Sequence, residues 1–321
     1  MTPAPLTVEL WRGPHLESRH VVHAVVADPA GTVVRVWGDA GRLTHPRSAV
    51  KPIQALPLVE SGAADAFGVD DVELALACAS HNGEPGHVEA VEAWLARIGR
   101  TPDDLECGVE VGKGPTPTTN NCSGKHAGFL TLARHLGVPP AGYTRADHPV
   151  QQLVSQALAD VAEVALDVAD AGIDGCGIPV HPLPLRALAG AGARFGAPPS
   201  HWAPERVDAA RRLAAAMAAH PWHVAGTGRL CTELVAAAGG EVLVKVGAEG
   251  VQLAALPSQG LGVAVKAEDG ATRASEVALG HVLAALGCDA APIAEVFERR
   301  SRISNWAGTH VADLQVVDPT P

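Results

Sequence analysis

The sequence predicts a fold of the α+β or αβα class, in which an antiparallel sheet is built from N- and C-terminal strands around a helical middle region. Runs rich in β-branched residues lie near both ends of the 321-residue chain. Between them, segments with helical periodicity alternate with Pro and Gly. A sheet assembled from both termini implies a single domain over 1–321, with a helical subregion at about 49–220.

The N-terminal strands are expected to form a β-hairpin. Residues 20–27 and 32–37 are rich in valine, and Asp28-Pro29-Ala30-Gly31 lies between them. A proline in second place and a glycine in fourth suit a type I turn. Further strands are predicted at 241–247, 250–256 and 261–267, followed by an amphipathic helix at 272–286.

The middle of the chain is expected to be mostly helical. The segment 190–204, which is rich in Gly, Ala and Pro, is predicted to be a surface loop. The predicted helices are 49–61, 71–78, 87–99, 123–136, 150–165 and 205–219.

Composition excludes several classes of function. The net charge is −11 and no block of Lys or Arg occurs, which argues against a nucleic-acid partner. No apolar run reaches 18 residues, so no membrane span is expected. The first residues lack a basic segment followed by an apolar one, so the cytoplasm is the expected location. The six cysteines form no Cys-x-x-Cys pair, and we expect buried thiols rather than disulfides.

Lysine is scarce in this chain. Five lysines stand against 19 arginines. Of these two cationic side chains, only lysine readily becomes neutral and can then serve as a base or a metal ligand. Each lysine is therefore a candidate for a chemical role.

The stretch HPRSAVKPIQ places Ser48 and Lys51 in the spacing Ser-x-x-Lys. Pro52 fits the first turn of a helix, so the helix is expected to begin at Ser48, with the hydroxyl at its positive end. Lys51 would then lie on the same face and could take the serine proton. Taken alone, so short a pattern more often marks a capping serine and a solvated lysine.

Two further patterns supply partners for this pair. Ser80-His81-Asn82 follows an apolar helix, and Lys245-Val246-Gly247 lies in a predicted strand. The order Ser-x-x-Lys, Ser-x-Asn, Lys-x-Gly is that of penicillin-recognising serine enzymes. Gly247 would let a substrate lie close to the strand. Taken singly, a loop hydroxyl and an exposed strand lysine are the plainer interpretations.

The stretch NNCSGKHAGFL contains Cys122 and Lys125, which are three residues apart and can share a helix face. It lacks the glycine spacing and the Ser/Thr of a phosphate-binding loop. IDGCGIP adds Asp174 and Cys176. A zinc site usually needs four ligands, so spacing alone favours buried structural cysteines.

Six blocks resemble the L-asparaginase II family, the rhizobial-type or class 3 L-asparaginases. The resemblance implies hydrolysis of L-asparagine to L-aspartate and ammonia. It also implies a fold related to serine glutaminases and β-lactamases, usually as a homodimer. The matching blocks are RSAVKP, CASHNGE, NNCSGKHAGFL, DGCGIP, VAGTGRLCTEL and VKVGAEG, together with ISNWAGTHVADL near the end.

The resemblance also implies a set of site residues. Two Ser-Lys tandems would carry catalysis, Ser48 with Lys51 and Ser80 with Lys245. Zn²⁺ would bind close to the active site and support substrate binding. Its expected ligands are Cys122, Lys125 and Cys176, with Asp174 contacting metal-bound water or substrate.

Other roles and readings stay open. Arg47 is either a ligand of the substrate α-carboxylate or a surface arginine, and Asn82 and Gly247 are expected to contact substrate. Either Ser48 or Ser80 could be acylated. A glutaminase or other β-lactamase-like serine acyl hydrolase is an alternative, although serine glutaminases of this fold use active-site tyrosines and the one tyrosine, Tyr143, lies away from the motifs in sequence. A non-catalytic zinc-dependent ligand sensor is another.

Overall fold

The computed structural model describes residues 3–319 of the chain. None of the helices below is long and apolar enough to cross a membrane. The strands are β1 (Leu6–Arg12), β2 (His15–Ala27), β3 (Val33–Trp37), β4 (Leu43–Thr44), β5 (Gly172–Ile173), β6 (Pro179–Val180), β7 (Leu183–Pro184), β8 (Leu243–Gly247), β9 (Val251–Leu256), β10 (Leu261–Ala267), β11 (Arg302–Ser304) and β12 (His310–Val317). The α-helices are α1 (Lys51–Gln54), α2 (Leu56–Glu60), α3 (Ala63–Ala66), α4 (Asp71–Ala77), α5 (Pro85–Arg97), α6 (Ser123–Leu136), α7 (Pro149–Ala162), α8 (Leu185–Gly196), α9 (Pro204–Ala219), α10 (Pro221–Ala225), α11 (Leu230–Ala237), α12 (Thr272–Ala285) and α13 (Ala291–Ser301).

The chain divides into two compact units. A sheet unit falls in Met1–Ala49, Leu183–Ala197 and Ala237–Pro321. A helical unit falls in Val50–Pro182 and Pro198–Ala236. The organisation of both units as a single domain stays a prediction.

The main sheet of the sheet unit is antiparallel and mixes strands from both ends of the chain. Its order is β11-β12-β1-β2-β10-β9-β8, with β3 also paired to β2. Strand β2 is 13 residues long, which lets it pair with β1 through its first half and with β3 and β10 through its second. The predicted fold class, with a sheet built from N- and C-terminal strands, is confirmed.

The predicted hairpin is formed by β2 and β3. Its turn is closed by a hydrogen bond from Gly31 N to Asp28 O of 3.0 Å. The Asp28 carboxylate also accepts from Thr32 N at 2.9 Å. Gly31 has a φ of 82°, a value that glycine adopts without strain.

Helices cover both faces of the sheet. Successive strand residues point to opposite faces, so neighbouring residues of one strand contact different helices. On β9, Gln252 Nε2 donates to Ser275 Oγ of α12 at 3.1 Å. The next residue, Leu253, packs on the other face, where a Cβ at Gly192 of α8 would lie 2.8 Å from Leu253 Cδ1. The sheet unit therefore has three layers, with α8 on one face of the sheet and α12 on the other.

The predicted surface loop at 190–204 is wrong, because its first part belongs to α8 and is buried. Gly190, Gly192 and Gly196 are the residues that suggested a loop. A Cβ at Gly192 or Gly196 would crowd β9, so glycine lets the helix approach the sheet closely. The glycines that are typical of a loop here allow α8 to pack closely against the sheet.

The helices predicted in the middle of the chain are present, with one difference. The segment 49–61 is a 3₁₀ helix at Arg47–Val50 followed by α1 and α2, not one continuous helix. Both α1 and α2 have a proline in their first two positions. Since proline lacks an N–H and restricts the residue before it, it favours a restart of the helix at each of these points.

Replacing Gly262 of β10 with alanine should destabilise the protein. The added Cβ would overlap the Ala189 carbonyl oxygen and the Ala193 amide nitrogen of α8, which belong to backbone and cannot turn away. We expect a loss of about 1–3 kcal/mol in the free energy of unfolding, measured by urea titration. Gly175→Ala is the matched control, since nothing lies within 4 Å of its Cβ position. Equal stability of the two variants would contradict this packing.

Candidate active site

Ser48 belongs to the sheet unit, lies in the short 3₁₀ helix Arg47–Val50 and is partly exposed. The expectation that Ser48 caps an α-helix is wrong. The N-cap of α1 is Val50, and the turn before it is closed by Ala49 N donating to Pro46 O at 3.1 Å. Arg47 has a φ of 51°, a left-handed conformation rare outside glycine. Such strained positions cluster at functional sites.

Strand β8 packs directly against the segment that carries Ser48. A Cβ at Gly247 would lie 2.5 Å from Pro46 O and 3.3 Å from Ala49 Cβ. Gly247 therefore permits a close approach of two backbone segments within the sheet unit. Lys245, two residues earlier on β8, is buried, and its Nζ donates to Val246 O at 2.9 Å.

Lys51 is buried in the helical unit, where only 1% of it is exposed. Its Nζ is 2.5 Å from Ala79 O and 2.9 Å from Ser80 Oγ, and Asn121 O accepts at 3.4 Å. Burial lowers the pKa of the Lys51 amine below its usual value, and the nearby Cys122 sulfur partly opposes this shift. The structure thus brings together an amine biased toward the neutral form and a serine hydroxyl.

The loop that carries Ser80 is fixed by backbone and histidine hydrogen bonds. Ser80 N donates to Val224 O at 2.9 Å. The buried His81 accepts from Gly83 N through Nδ1, which assigns the proton to Nε2 and lets it donate to Ser123 Oγ at 2.9 Å. The His81 ring also stacks on His87, with ring centroids 4.9 Å apart.

Asn82 is tied into a network that sequence reasoning missed. Its Nδ2 donates to Glu84 Oε1 and to Thr227 O, both at 3.0 Å. Its Oδ1 accepts from Arg229 Nη1 at 3.1 Å. A Cβ at Gly226 would come within 2.7 Å of Asn82 Nδ2, so glycine is needed there. The block VAGTGRLCTEL was the available signal, but nothing in the sequence says that it adjoins Asn82.

Cys122, Lys125 and Cys176 form a buried cluster in the helical unit. Lys125 Nζ is 3.2 Å from Cys176 Sγ. A hydrogen bond with Cys176 is the main cause that lowers the pKa of the Cys122 thiol, and Lys51 and Lys125 act in the same direction. The cluster therefore favours one thiolate.

The donor chemistry of this cluster fits a zinc ion. The Cys176 sulfur contacts both the Lys125 amine and the Cys122 sulfur, and thiolates are preferred Zn²⁺ ligands. Asp174, two residues before Cys176, is partly exposed, and its Oδ1 accepts from Gly175 N at 2.8 Å. Among the described residues, no group of three or more His, Cys, Asp and Glu side chains is placed to hold a metal ion. A site here would thus depend on the lysine.

Tyr143 does not lie away from the motifs, as its sequence position suggested. It is fully buried, and its hydroxyl is 2.7 Å from Nδ1 of His126 in the block NNCSGKHAGFL. The same oxygen accepts from Glu106 N at 2.9 Å, so the hydroxyl proton is available to His126. Distance along the chain was a poor guide because the intervening loop folds back onto α6.

Acid should destabilise the fold through His81. Burial, helped by the neighbouring His87, lowers the pKa of His81 well below its usual value. The unfolded chain takes up a proton below a pH of about 6.5 while the folded chain does not. The free energy of unfolding should therefore fall with decreasing pH, by up to about 1.4 kcal/mol per pH unit from this residue.

Urea unfolding at several pH values between 7 and 5 measures this slope. His81→Gln should reduce it, whereas His135→Gln, at an exposed position on α6, should leave it unchanged. An unchanged slope in His81→Gln would contradict the assignment.

Several solved structures resemble this fold. The crystal structure of Mglu in its native form has a TM-score of 0.50 and 16% identity, over 83% of this chain and 64% of that chain. A β-lactamase (Mb2281c) from Mycobacterium bovis gives 0.44 and 16%, over 83% and 94%. A Bacillus glutaminase gives 0.36 and 12%, over 84% and 92%. The likeness to Mglu concerns the fold, and the chain spans 64% of the length of that structure.

The sequence comparisons are more specific. Curated protein sequences give no match to this chain. The family model of L-asparaginase II matches residues 8–316, which is nearly the whole chain and includes every site residue discussed above. The chain therefore belongs to the L-asparaginase II family, and this membership supports an amidohydrolase.

Proposed function

We propose that this protein hydrolyses L-asparagine to L-aspartate and ammonia through an acyl-enzyme. The observation that carries the proposal is the buried Lys51 amine, 2.9 Å from Ser80 Oγ and biased by burial toward its neutral form. A neutral amine beside a hydroxyl is the chemistry of a serine nucleophile with a lysine base. Membership of the L-asparaginase II family supports the choice of substrate.

Ser48 is the serine that we expect to be acylated. It is partly exposed, whereas Ser80 is 6% exposed, and a nucleophile must meet the substrate. It follows the left-handed Arg47 and precedes Lys51 by three residues in one continuous segment. In this assignment Ser80 relays protons to and from Lys51, and Lys245 completes the second tandem.

The reaction runs in two displacements. Neutral Lys51 takes the Ser48 proton, and Ser48 Oγ forms a bond to the side-chain amide carbon of L-asparagine. The carbon–nitrogen bond breaks, and the amide nitrogen leaves as ammonia after receiving a proton through Lys51 and Ser80. Water then attacks the β-aspartyl ester, which releases L-aspartate and returns the proton to Ser48.

Backbone N–H groups are the proposed oxyanion donors. Those of the Ser48 turn and of residues 245–249, at the end of β8 and just after it, belong to the same unit, and Gly247 lets the two segments approach closely. An oxyanion donor typically contributes about 3–4 kcal/mol to transition-state stabilisation. Arg47 and Asp174 are proposed to contact the substrate.

We also propose that Cys122, Lys125 and Cys176 hold Zn²⁺. The ion would supply a Lewis acid that helps to bind the substrate. The chain's own residues carry the proton transfers described above. A homodimer is the expected assembly.

Removal of the proposed nucleophile should abolish turnover. Ser48→Ala should lower kcat for ammonia release from L-asparagine by about 10³-fold or more, because no acyl-enzyme can form. Coupled detection of ammonia from L-asparagine and from L-glutamine measures both the rate and the preference between the two amides. Ser155→Ala, on α7, is the control and should keep full activity. Full activity in Ser48→Ala would refute the mechanism.

Removal of the proposed base, Lys51, should lower turnover nearly as much as removal of Ser48. Lys51→Met keeps the length of the buried side chain but removes the amine, and kcat should fall by about 10²–10⁴-fold. Circular dichroism should show an intact fold. Lys113→Met removes a lysine that pairs with Glu110, and it should not change kcat. A Lys51→Met protein with normal kcat would rule out Lys51 as the base.

A further inference from the structure

We infer that Arg229 binds the α-carboxylate of the substrate and that Asn82 positions it for this. The inference rests on the proposed function and deepens it, because it names the group that selects amides of an acidic amino acid. It also changes the expected role of Asn82, from a direct substrate ligand to a positioning residue.

The guanidinium of Arg229 is held in place but lacks an anionic partner. It is half-buried just before α11, and its Nη1 donates to Asn82 Oδ1 at 3.1 Å. Within residues 3–319 it forms no ion pair with a carboxylate. Arg206 and Arg212, also in the helical unit, are each paired with acidic side chains at 2.8 Å. Arg229 thus keeps a charge and several N–H donors for a ligand.

A closed network fixes the direction of the Asn82 amide. Glu84 accepts from Thr227 N through Oε1 and from Thr227 Oγ1 through Oε2, both at 2.8 Å. Asn82 Nδ2 donates to Glu84 Oε1 and to Thr227 O, so its oxygen must face Arg229. The network leaves Asn82 no free donor for a substrate. The role of Asn82 is to orient the Arg229 guanidinium.

Arg229 is tied to the loop that carries Ser80. Only His81 separates Ser80 from Asn82, so their Cα atoms lie within about 7 Å of each other. Ser80 Oγ in turn accepts from Lys51 Nζ at 2.9 Å. Both ends of this short loop are anchored to one segment, through Ser80 N to Val224 O and Asn82 Nδ2 to Thr227 O. The serine–lysine pair and the guanidinium therefore keep a fixed spacing.

That spacing suits one molecule of an asparagine-like substrate. Its amide carbon and its α-carboxylate carbon are three bonds apart, or about 4 Å. With a hydrogen bond at each end, such a molecule would reach from the Ser80–Lys51 pair to a guanidinium held beside Asn82. The planar guanidinium can bind a carboxylate through two parallel N–H···O hydrogen bonds. An ammonium group cannot adopt this geometry. A ligand without that carboxylate would leave the guanidinium unpaired and bind poorly.

Binding of L-aspartate and of β-alanine tests this directly. β-Alanine is L-aspartate without its α-carboxylate, so the pair isolates the proposed contact. In calorimetry, Arg229→Gln should weaken L-aspartate binding by about 10- to 100-fold and leave β-alanine binding unchanged. Arg229→Lys should recover only part of the loss. Arg212→Gln, which removes one positive charge from α9, should match the unaltered protein.

Rates of ammonia release from two amides provide a kinetic test of the same contact. Arg229→Gln should raise KM for succinamic acid, which keeps the carboxylate, far more than it lowers kcat. Its kcat/KM for 3-aminopropanamide, which lacks the carboxylate, should equal that of the unaltered protein. An equal loss on both amides, or an unchanged L-aspartate affinity in Arg229→Gln, would overturn the inference. If the unaltered protein released no ammonia but the L-aspartate difference persisted, the proposed function would fail while the carboxylate site stood.

Discussion

The arrangement of the candidate site depends on one buried amine. Lys51 is almost completely removed from water, so its Nζ must find acceptors in the protein. Ala79 O, Ser80 Oγ and Asn121 O provide them. Other hydrogen bonds hold the acceptor segments in place, since Ser80 N donates to Val224 O and Asn121 N donates to Glu110 Oε2. The hydrogen bonds that satisfy the buried Lys51 amine therefore also bring the residues of the candidate site together.

Close backbone contacts set the frame of the sheet unit. Gly247 lets β8 approach the turn that carries Ser48, and Gly262 lets β10 approach α8. A methyl group at either position would meet backbone atoms and not a movable side chain. These glycines thus link the packing of the sheet unit to the placement of Ser48 and Lys245. In the helical unit, hydrogen bonds rather than close backbone contacts fix the positions of Asn82 and Arg229.

Local patterns predicted the elements and the chemistry-bearing residues, but not their spatial partners. Valine-rich runs marked β2 and β3 because strand preference is local, and the Ser-x-x-Lys spacing marked Lys51. The helix α8 was missed because its glycines serve packing against β9, which lies far away in sequence. The predicted start of the α-helix at Ser48 was too early, because a 3₁₀ turn precedes α1. Arg229 was missed since its partner Asn82 is 147 residues away.

Trapping the covalent intermediate tests the central claim most directly, namely that Ser48, activated by Lys51, attacks L-asparagine. The protein would be mixed with L-asparagine, quenched in acid within milliseconds, digested and mapped by mass spectrometry. We predict a β-aspartyl group on the peptide that contains Ser48, and its absence in Ser48→Ala. A β-aspartyl group on Ser80 instead, or no acylated peptide while ammonia is released at full rate, would contradict it.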